Sequence, residues 1–313
     1  MPLHDATFLA VALAALLAGC AESPPPPATA PELSAAQAAA TPAAHPDVHR
    51  FSIGQHEAMV LRDGDIRLPN DGSIVAQGVP KAETDALLDA AGQPTDTLRL
   101  DIQALLVRAG DRVVLFDTGA GNASFADAGR LPQSLQAAGV DAADVTDIVI
   151  SHAHGDHVGG LLDGDGRPAF ANAAIRMSAP EWEALRGDAG MAALAEAIAP
   201  RVEAFEPGAE VLPGVTSLPV AGHTPGHSAY VIADGDQRLL YIGDSAHHHV
   251  ISVQRPRWTI QFDRDAPLAE DSREALLARI ADEGWTMQSP HFPFPGLGRI
   301  ERREDSFAWV PAD

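Results

Sequence analysis

The chain has one cysteine, Cys20, so it can close no internal disulfide and offers no thiolate after residue 20. Its only lysine, Lys81, argues against lysine-based covalent catalysis, and the other basic residues are arginines. Positive charge is scarce: Lys and Arg total 21 against 43 Asp and Glu, a formal net charge of −22. Such a surface repels a polyanion and weighs against nucleic acid as a partner. The apolar run Ala6–Ala18 is shorter than the roughly 20 residues that span a bilayer. Internal repeats at solenoid periods are also missing. A length of 313 residues with 46% hydrophobic content fits one large globular domain or two smaller ones.

Ala6–Ala18 suits the apolar centre of a signal peptide and ends in Leu17-Ala18-Gly19-Cys20, which resembles a bacterial lipoprotein cleavage box. Residues 1–20 are therefore expected to be a leader, with Cys20 lipidated on the periplasmic side of a bacterial membrane. A mature chain without free thiol or disulfide suits that oxidising compartment. Met1-Pro2-Leu3-His4-Asp5 lacks the usual positive charge, and a secreted or cytoplasmic chain is the alternative. Residues 21–47, rich in Pro and Ala and including Pro24-Pro25-Pro26-Pro27, cannot bury a core and read as a tether. The catalytic domain is expected over 48–313.

Within that domain strands and helices alternate. Phe51–Ile53 and Ala58–Leu61 read as a strand pair, with Arg62-Asp63-Gly64-Asp65 as a turn. Leu98–Arg108 and Val113–Phe116 flank a turn at Ala109-Gly110-Asp111. Leu131–Ala138 has a helical pattern and Val145–Ser151 reads as a buried strand. Glu181–Leu185 and Met191–Ile198 are expected helices. Val211–Val220, Ala229–Ile232 and Leu239–Ile242 are strand-like. Leu268–Asp282 reads as an amphipathic helix with Leu268, Leu276, Leu277 and Ile280 on one side. Strands at Trp285–Gln288 and around Ile300 end the domain. This interleaving argues for a layered α/β fold.

The chemistry concentrates in Ser151-His152-Ala153-His154-Gly155-Asp156-His157, directly after Ile148-Val149-Ile150. Neutral imidazole and carboxylate bind zinc and similar divalent ions. A strand ending in a tight turn can aim His152 and His154 to one side and Asp156 and His157 to a neighbouring point, which suits two metals. His223 and His227 in Ala221-Gly222-His223-Thr224-Pro225-Gly226-His227, Asp244 in Ile242-Gly243-Asp244-Ser245, and His291 follow where apolar runs give way to Gly or Pro.

His152-x-His154-x-Asp156-His157 followed by His223, Asp244 and His291 resembles the metallo-β-lactamase superfamily over roughly residues 49–311. His223-Thr224-Pro225-Gly226-His227-Ser228 and the tail from His291 to Gly298 look most similar to the methyl parathion hydrolase subgroup. The resemblance implies an αββα sandwich with two metals at the edge between two sheets. It implies His152, His154 and His223 on one metal, Asp156, His157 and His291 on the other, and Asp244 bridging. Asp156 and Asp244 would then act through a hydroxide shared by the metals, which attacks a neutral or weakly charged ester, lactone or phosphotriester. An aspartate at 244, where β-lactam-cleaving members carry Cys or Ser, argues against antibiotic hydrolysis. The metals are expected to be zinc, with Mn, Fe or Co as alternatives, and the subgroup suggests a homodimer.

Asp117 in Phe116-Asp117-Thr118-Gly119 resembles the family's supporting aspartate behind the metals. His227 is expected to hydrogen-bond within its turn or behind the site. His247, in His247-His248-His249, is either a candidate proton donor close to Asp244 or one of three surface histidines. Trp258, Phe262, Phe292 and Phe294 are candidates to line an apolar pocket or to pack in the core. Two other readings stand beside the hydrolase: a persulfide dioxygenase using one iron, which shares the His-Thr-Pro-Gly-His turn, and a metal-binding lipoprotein without catalysis.

Overall fold

In a computed structural model the described residues are 44–312, so Cys20, its leader and residues 21–43 of the tether lie outside them. Two seven-stranded sheets face each other. The first runs, in spatial order, β1 (Val48–Ile53), β2 (His56–Pro69), β3 (Thr97–Ala109), β4 (Arg112–Phe116), β5 (Asp147–Val149), β6 (Ala174–Ser178) and β7 (Val202–Phe205). The second contains β8 (Glu210–Leu212), β9 (Val215–Pro219), β10 (Ser228–Asp234), β11 (Gln237–Tyr241), β12 (Thr286–Gln288), β13 (Leu297–Arg303) and β14 (Ser306–Pro311), in order from one edge to the other. The helices are α1 (Lys81–Ala90), α2 (Leu131–Ala138), α3 (Gly155–Val158), α4 (Ala179–Gly187), α5 (Ala192–Ile198), α6 (Ile251–Gln254) and α7 (Ala266–Glu283). Among the described residues no helix is long and apolar enough to cross a membrane.

Strand alternation builds the layers. Ala58 and Val60 of β2, and Leu105 and Val107 of β3, meet Tyr230, Ile232, Leu239 and Tyr241 between the sheets. Their neighbours Met59, Leu61 and Leu106 point the other way, onto Leu131 and Leu135 of α2. Leu240 of β11 and Ile242 just beyond it likewise turn outward, onto Leu276, Leu277 and Ile280 of α7. Successive side chains on a strand face opposite sides, so each strand feeds two cores. The result is the expected αββα sandwich.

Three local expectations need correction. Arg62-Asp63-Gly64-Asp65 is not a turn: the turn lies at Gly54-Gln55, and β2 continues to Pro69 with a register shift between Arg62 and Gly64. A Cβ on Gly64 would sit 2.2 Å from the Asp127 carbonyl oxygen, so the glycine serves a close backbone approach. The irregularity aims Asp63 at the loop before α2, where it accepts hydrogen bonds from the amides of Ala120, Gly129 and Leu131. Val211–Val220 is a hairpin of β8 and β9 around Pro213-Gly214, with Gly214 at φ 78°. Leu268 is exposed, and the buried face of α7 runs through Ala269, Arg273, Leu276, Leu277 and Ile280.

Candidate metal centre

Strand ends deliver the site. The segment Ser151–His157 follows β5, Asp244 follows β11, His291 follows β12, and His223 lies between β9 and β10. β4 and β5 are parallel, as are β11 and β12, so their carboxyl ends open on the same side of each sheet. All seven residues picked out for metal binding come together in two groups: His152, His154, His223 and Asp244, and beside them Asp156, His157 and His291.

In the first group His152 Nε2 lies 3.0 Å from His154 Nδ1 and 3.2 Å from His223 Nε2, and the third side of this triangle is 3.1 Å. Asp244 joins the groups. Its Oδ2 is 3.7 Å from His152 Nε2 and 3.5 Å from His223 Nε2. Its Oδ1 is 3.1 Å from His157 Nε2 and 3.0 Å from His291 Nε2. Asp156 Oδ2 reaches the same two nitrogens at 3.6 and 3.4 Å.

The outward ring nitrogens fix what faces inward. His157 Nδ1 donates to Asp117 Oδ2 at 2.7 Å, His223 Nδ1 to Asp263 Oδ1 at 2.9 Å and His291 Nδ1 to the Asp101 carbonyl at 2.7 Å. Ser151 Oγ gives its proton to Asp117 and accepts from His152 Nδ1 at 3.1 Å. An imidazole that donates on one side presents a lone pair on the other. Four inward lone pairs therefore converge on a buried carboxylate, and His157 Nε2 and Asp244 Oδ1 have no hydrogen-bond partner at all. Acceptors crowded in this way repel one another unless cations lie among them. Nitrogens about 3.1 Å apart suit a shared ion with Zn–N contacts of about 2.0–2.1 Å. The donor set fits divalent metal ions.

Without metal, the same crowding polarises the titrations. Burial pulls His157 down, but the carboxylates of Asp244, Asp156 and Asp117 outweigh it and hold the ring well above its usual range. Burial likewise opposes the pull of Asp244 and Asp263 on His223, whose pKa ends at about 8. Asp244 is pushed up by burial yet held well below the usual carboxylate range by the surrounding histidines, His157 first. Burial and the neighbouring His223 lower His154 to about 4.

Asp117 occupies the left-handed region at φ 56°, which costs a non-glycine residue about 1–3 kcal/mol. In return one carboxylate accepts from Ser151 N, Ser151 Oγ, His157 Nδ1 and Tyr241 OH at 2.6–2.7 Å. His227 donates from Nδ1 to the Val220 carbonyl and accepts from the Asp244 amide at Nε2, so it holds the Asp244 turn from behind. The surface reading of the histidine triplet is wrong. His247 is buried with Nε2 3.2 Å from Asp244 Oδ2 and neither ring nitrogen hydrogen-bonded, and its ring stacks on His291. His248 is buried too and caps α6, accepting the amides of Val250 and Ile251 at Nδ1. Of the four candidate pocket aromatics only Phe262 adjoins the cluster, 5.8 Å from the His247 ring. Phe292 is core, Trp258 packs against the apolar cluster that contains Leu88, Leu98 and Ile251, and Phe294 lies under the Arg62 guanidinium.

Several residues at the site carried no motif in the sequence. Glu181 is buried at the start of α4 and accepts from the Ala153 amide, the Thr224 hydroxyl and the Gly226 amide, tying two donor loops together. Asp263 and Arg273 stand behind His223. Phe125 is 55% exposed, and its ring lies 3.3 Å from where a Cβ on Gly155 would stand, between His154 and Asp156. Only the isolation of Phe125 in a polar loop could have drawn attention to it. A cavity of about 730 Å³ lies elsewhere, between α2 and the 158–170 segment, and is lined by none of the seven donors.

Residues 98–291 match the model of the metallo-beta-lactamase superfamily. An N-acyl homoserine lactonase of Bacillus sp. is 30% identical over 208 residues, 60% of this chain and 76% of that protein. The solved structure of AidC, a dizinc quorum-quenching lactonase in complex with a product N-hexanoyl-L-homoserine, aligns with a TM-score of 0.81 and 30% identity over 85% of this chain and 97% of AidC. The hydrolase AbOPH of the beta-lactamase superfamily aligns at 0.78 with 27% identity, over 85% and 98% of the two chains. With the fold, the paired donor groups and these relatives in agreement, the chain belongs to the metallo-β-lactamase superfamily and is a metal-dependent hydrolase.

Proposed function

We propose that the chain is a lactonase that carries two divalent ions and opens the ring of a neutral acyl lactone of the N-acyl homoserine lactone type. The observation behind this reading is Asp244: Oδ2 faces His152 and His223 while Oδ1 faces His157 and His291, so one buried carboxylate serves two donor groups. Under this reading His152, His154 and His223 hold one ion, Asp156, His157 and His291 hold the other, and Asp244 serves both. The ions supply Lewis-acid polarisation of the carbonyl and bring the pKa of water towards neutrality. Imidazole and carboxylate donors suit Zn, Mn, Fe or Co, and the similarity to a dizinc lactonase favours zinc. A one-iron dioxygenase would leave Asp156, His157 and His291 without a task.

The chain's own residues supply orientation and proton handling. Asp117, Asp263 and the Asp101 carbonyl fix the tautomers of His157, His223 and His291. His247, beside Asp244 and kept neutral by burial, would take a proton from the attacking water and pass it to the ring oxygen as that oxygen's bond to the carbonyl carbon breaks. Phe125 offers an apolar lip for an acyl chain. In balance, water adds to the carbonyl carbon, the ring C–O bond opens, and a hydroxy acid leaves as its carboxylate with one proton released. The working location in this proposal is the periplasmic side of a bacterial membrane, tethered at Cys20, and Cys20→Ser is expected to abolish labelling by a radioactive fatty acid.

The test is proton release by the full-length protein on an acyl homoserine lactone, an aryl ester and an aryl phosphotriester. The lactone is expected to give the highest kcat/KM, with activity lost in chelator and restored by Zn, Mn or Co. Turnover that survives exhaustive chelation, or a preference for the phosphotriester, contradicts the reading.

A further inference from the structure

Arg273 breaks the pattern of α7. It occupies the buried face formed by Ala269, Leu276, Leu277 and Ile280, and it is only 1% exposed. Arginine is almost never fully buried unless paired, because its charge is costly to desolvate. Its guanidinium is spent on three segments around the candidate metal centre. Nε donates to the Ser245 carbonyl at 3.0 Å, Nη1 to the Pro256 carbonyl at 2.7 Å and Nη2 to Asp263 Oδ2 at 2.6 Å. The other oxygen of Asp263 accepts from His223 Nδ1. Ser245 directly follows Asp244, so one side chain grips the turn that carries the shared carboxylate and, through Asp263, the ring that faces it.

We propose that Arg273 is a positioning residue for the metal centre: through Asp263 it orients His223, and through the Ser245 carbonyl it sets the place of Asp244. This rests on the assignment of His223 and Asp244 as metal ligands. An arginine is needed because three contacts diverge from one plane, which a guanidinium fork satisfies and a lysine ammonium does not. A residue that only filled space or bound α7 to the sheet would have no use for Asp263, whose second oxygen turns away from α7 to the imidazole. Partners behind metal-bound histidines characteristically change metal affinity by about 10–100-fold when altered.

The experiment uses full-length metal-free protein titrated with Zn, comparing wild type, Arg273→Lys, Asp263→Asn and the double variant. Arg273→Lys and Asp263→Asn are each expected to weaken Zn binding by about 10–100-fold. The double variant is expected to bind much more tightly than the product of the two losses predicts, because both changes cut one chain of contacts. Unchanged affinity in Arg273→Lys overturns the proposal, and so do losses that multiply in the double variant. Should Arg273→Lys not fold, the ¹⁵N resonances of the Arg273 guanidinium in wild type carry the test. They are expected to shift when Zn is added and to lose that response in Asp263→Asn. No shift in wild type, or an equal shift in Asp263→Asn, overturns it. Failure of the lactonase reading is seen separately, as wild-type protein that binds Zn but opens no lactone.

Discussion

At the scale of single residues, the site is governed by what stands behind each imidazole. Asp117 holds four donors on one carboxylate. Asp117→Asn turns part of that acceptor into a donor facing His157, and a loss of about 10–100-fold in metal affinity and in kcat/KM is expected by Zn titration and lactone kinetics. Phe125→Ala removes the lip against Gly155. It is expected to raise KM for a long acyl chain several-fold and to leave a short chain almost unaffected, since a missing aromatic forfeits about 1.5–3 kcal/mol at most when fully buried and less here. His248 gives a pH prediction away from the donors. Burial, reinforced by His249, lowers its pKa to about 3, whereas the unfolded side chain titrates near 6.5. Between those values only the unfolded state takes up the proton, so this contribution to stability is full above about 6.5 and declines as pH falls towards 3. His248→Asn keeps an acceptor for the α6 amides. It is expected to flatten the dependence of unfolding free energy on pH by about 1.4 kcal/mol per pH unit in that window, read by denaturant melts at pH 5 and 7.

At the scale of elements, glycine and strand ends decide where the donors sit. Gly222 precedes His223 at φ 115°, and a Cβ there would stand 2.2 Å from the Ala269 amide nitrogen of α7. Gly222→Ala is therefore expected to lower the thermal midpoint by several degrees and to weaken Zn binding, as α7 and the His223 loop are forced apart. The donors were legible in the sequence because each lies within a few residues of a strand end and is a residue type with few other reasons to cluster. The layered order was legible where alternation is strong, as in Leu98–Arg108. β6 and β7 carried no such signal, and neither did α1, nor β14, a half-exposed edge strand ending in Pro311. Asp-Gly at residues 63–64 misled because the same dipeptide serves a hairpin turn or a strand irregularity, and only the approach of Asp127 decides between them. Glu181, Asp263 and Arg273 were silent for a related reason. Their partners are distant in sequence, and a single acid or arginine in a helix pattern, or a single acid in a loop such as Asp263, reads as surface.

At the scale of the whole molecule, the two sheets act as jigs whose carboxyl ends meet around one carboxylate, and an acidic exterior surrounds them. A formal charge of −22 disfavours an anionic substrate. Added salt is thus expected to raise kcat/KM for a carboxylate-bearing lactone while leaving a neutral lactone nearly unchanged. A metal that binds only the folded chain is expected to add about 4 kcal/mol of stability when its free concentration is a thousandfold above its Kd. The measurement that tests the central claim most directly is metal content per chain in the full-length protein, followed by acyl lactone turnover of the same sample. The account predicts two divalent ions per chain, with lactone opening that falls as either is removed. One iron per chain without lactone opening would contradict it.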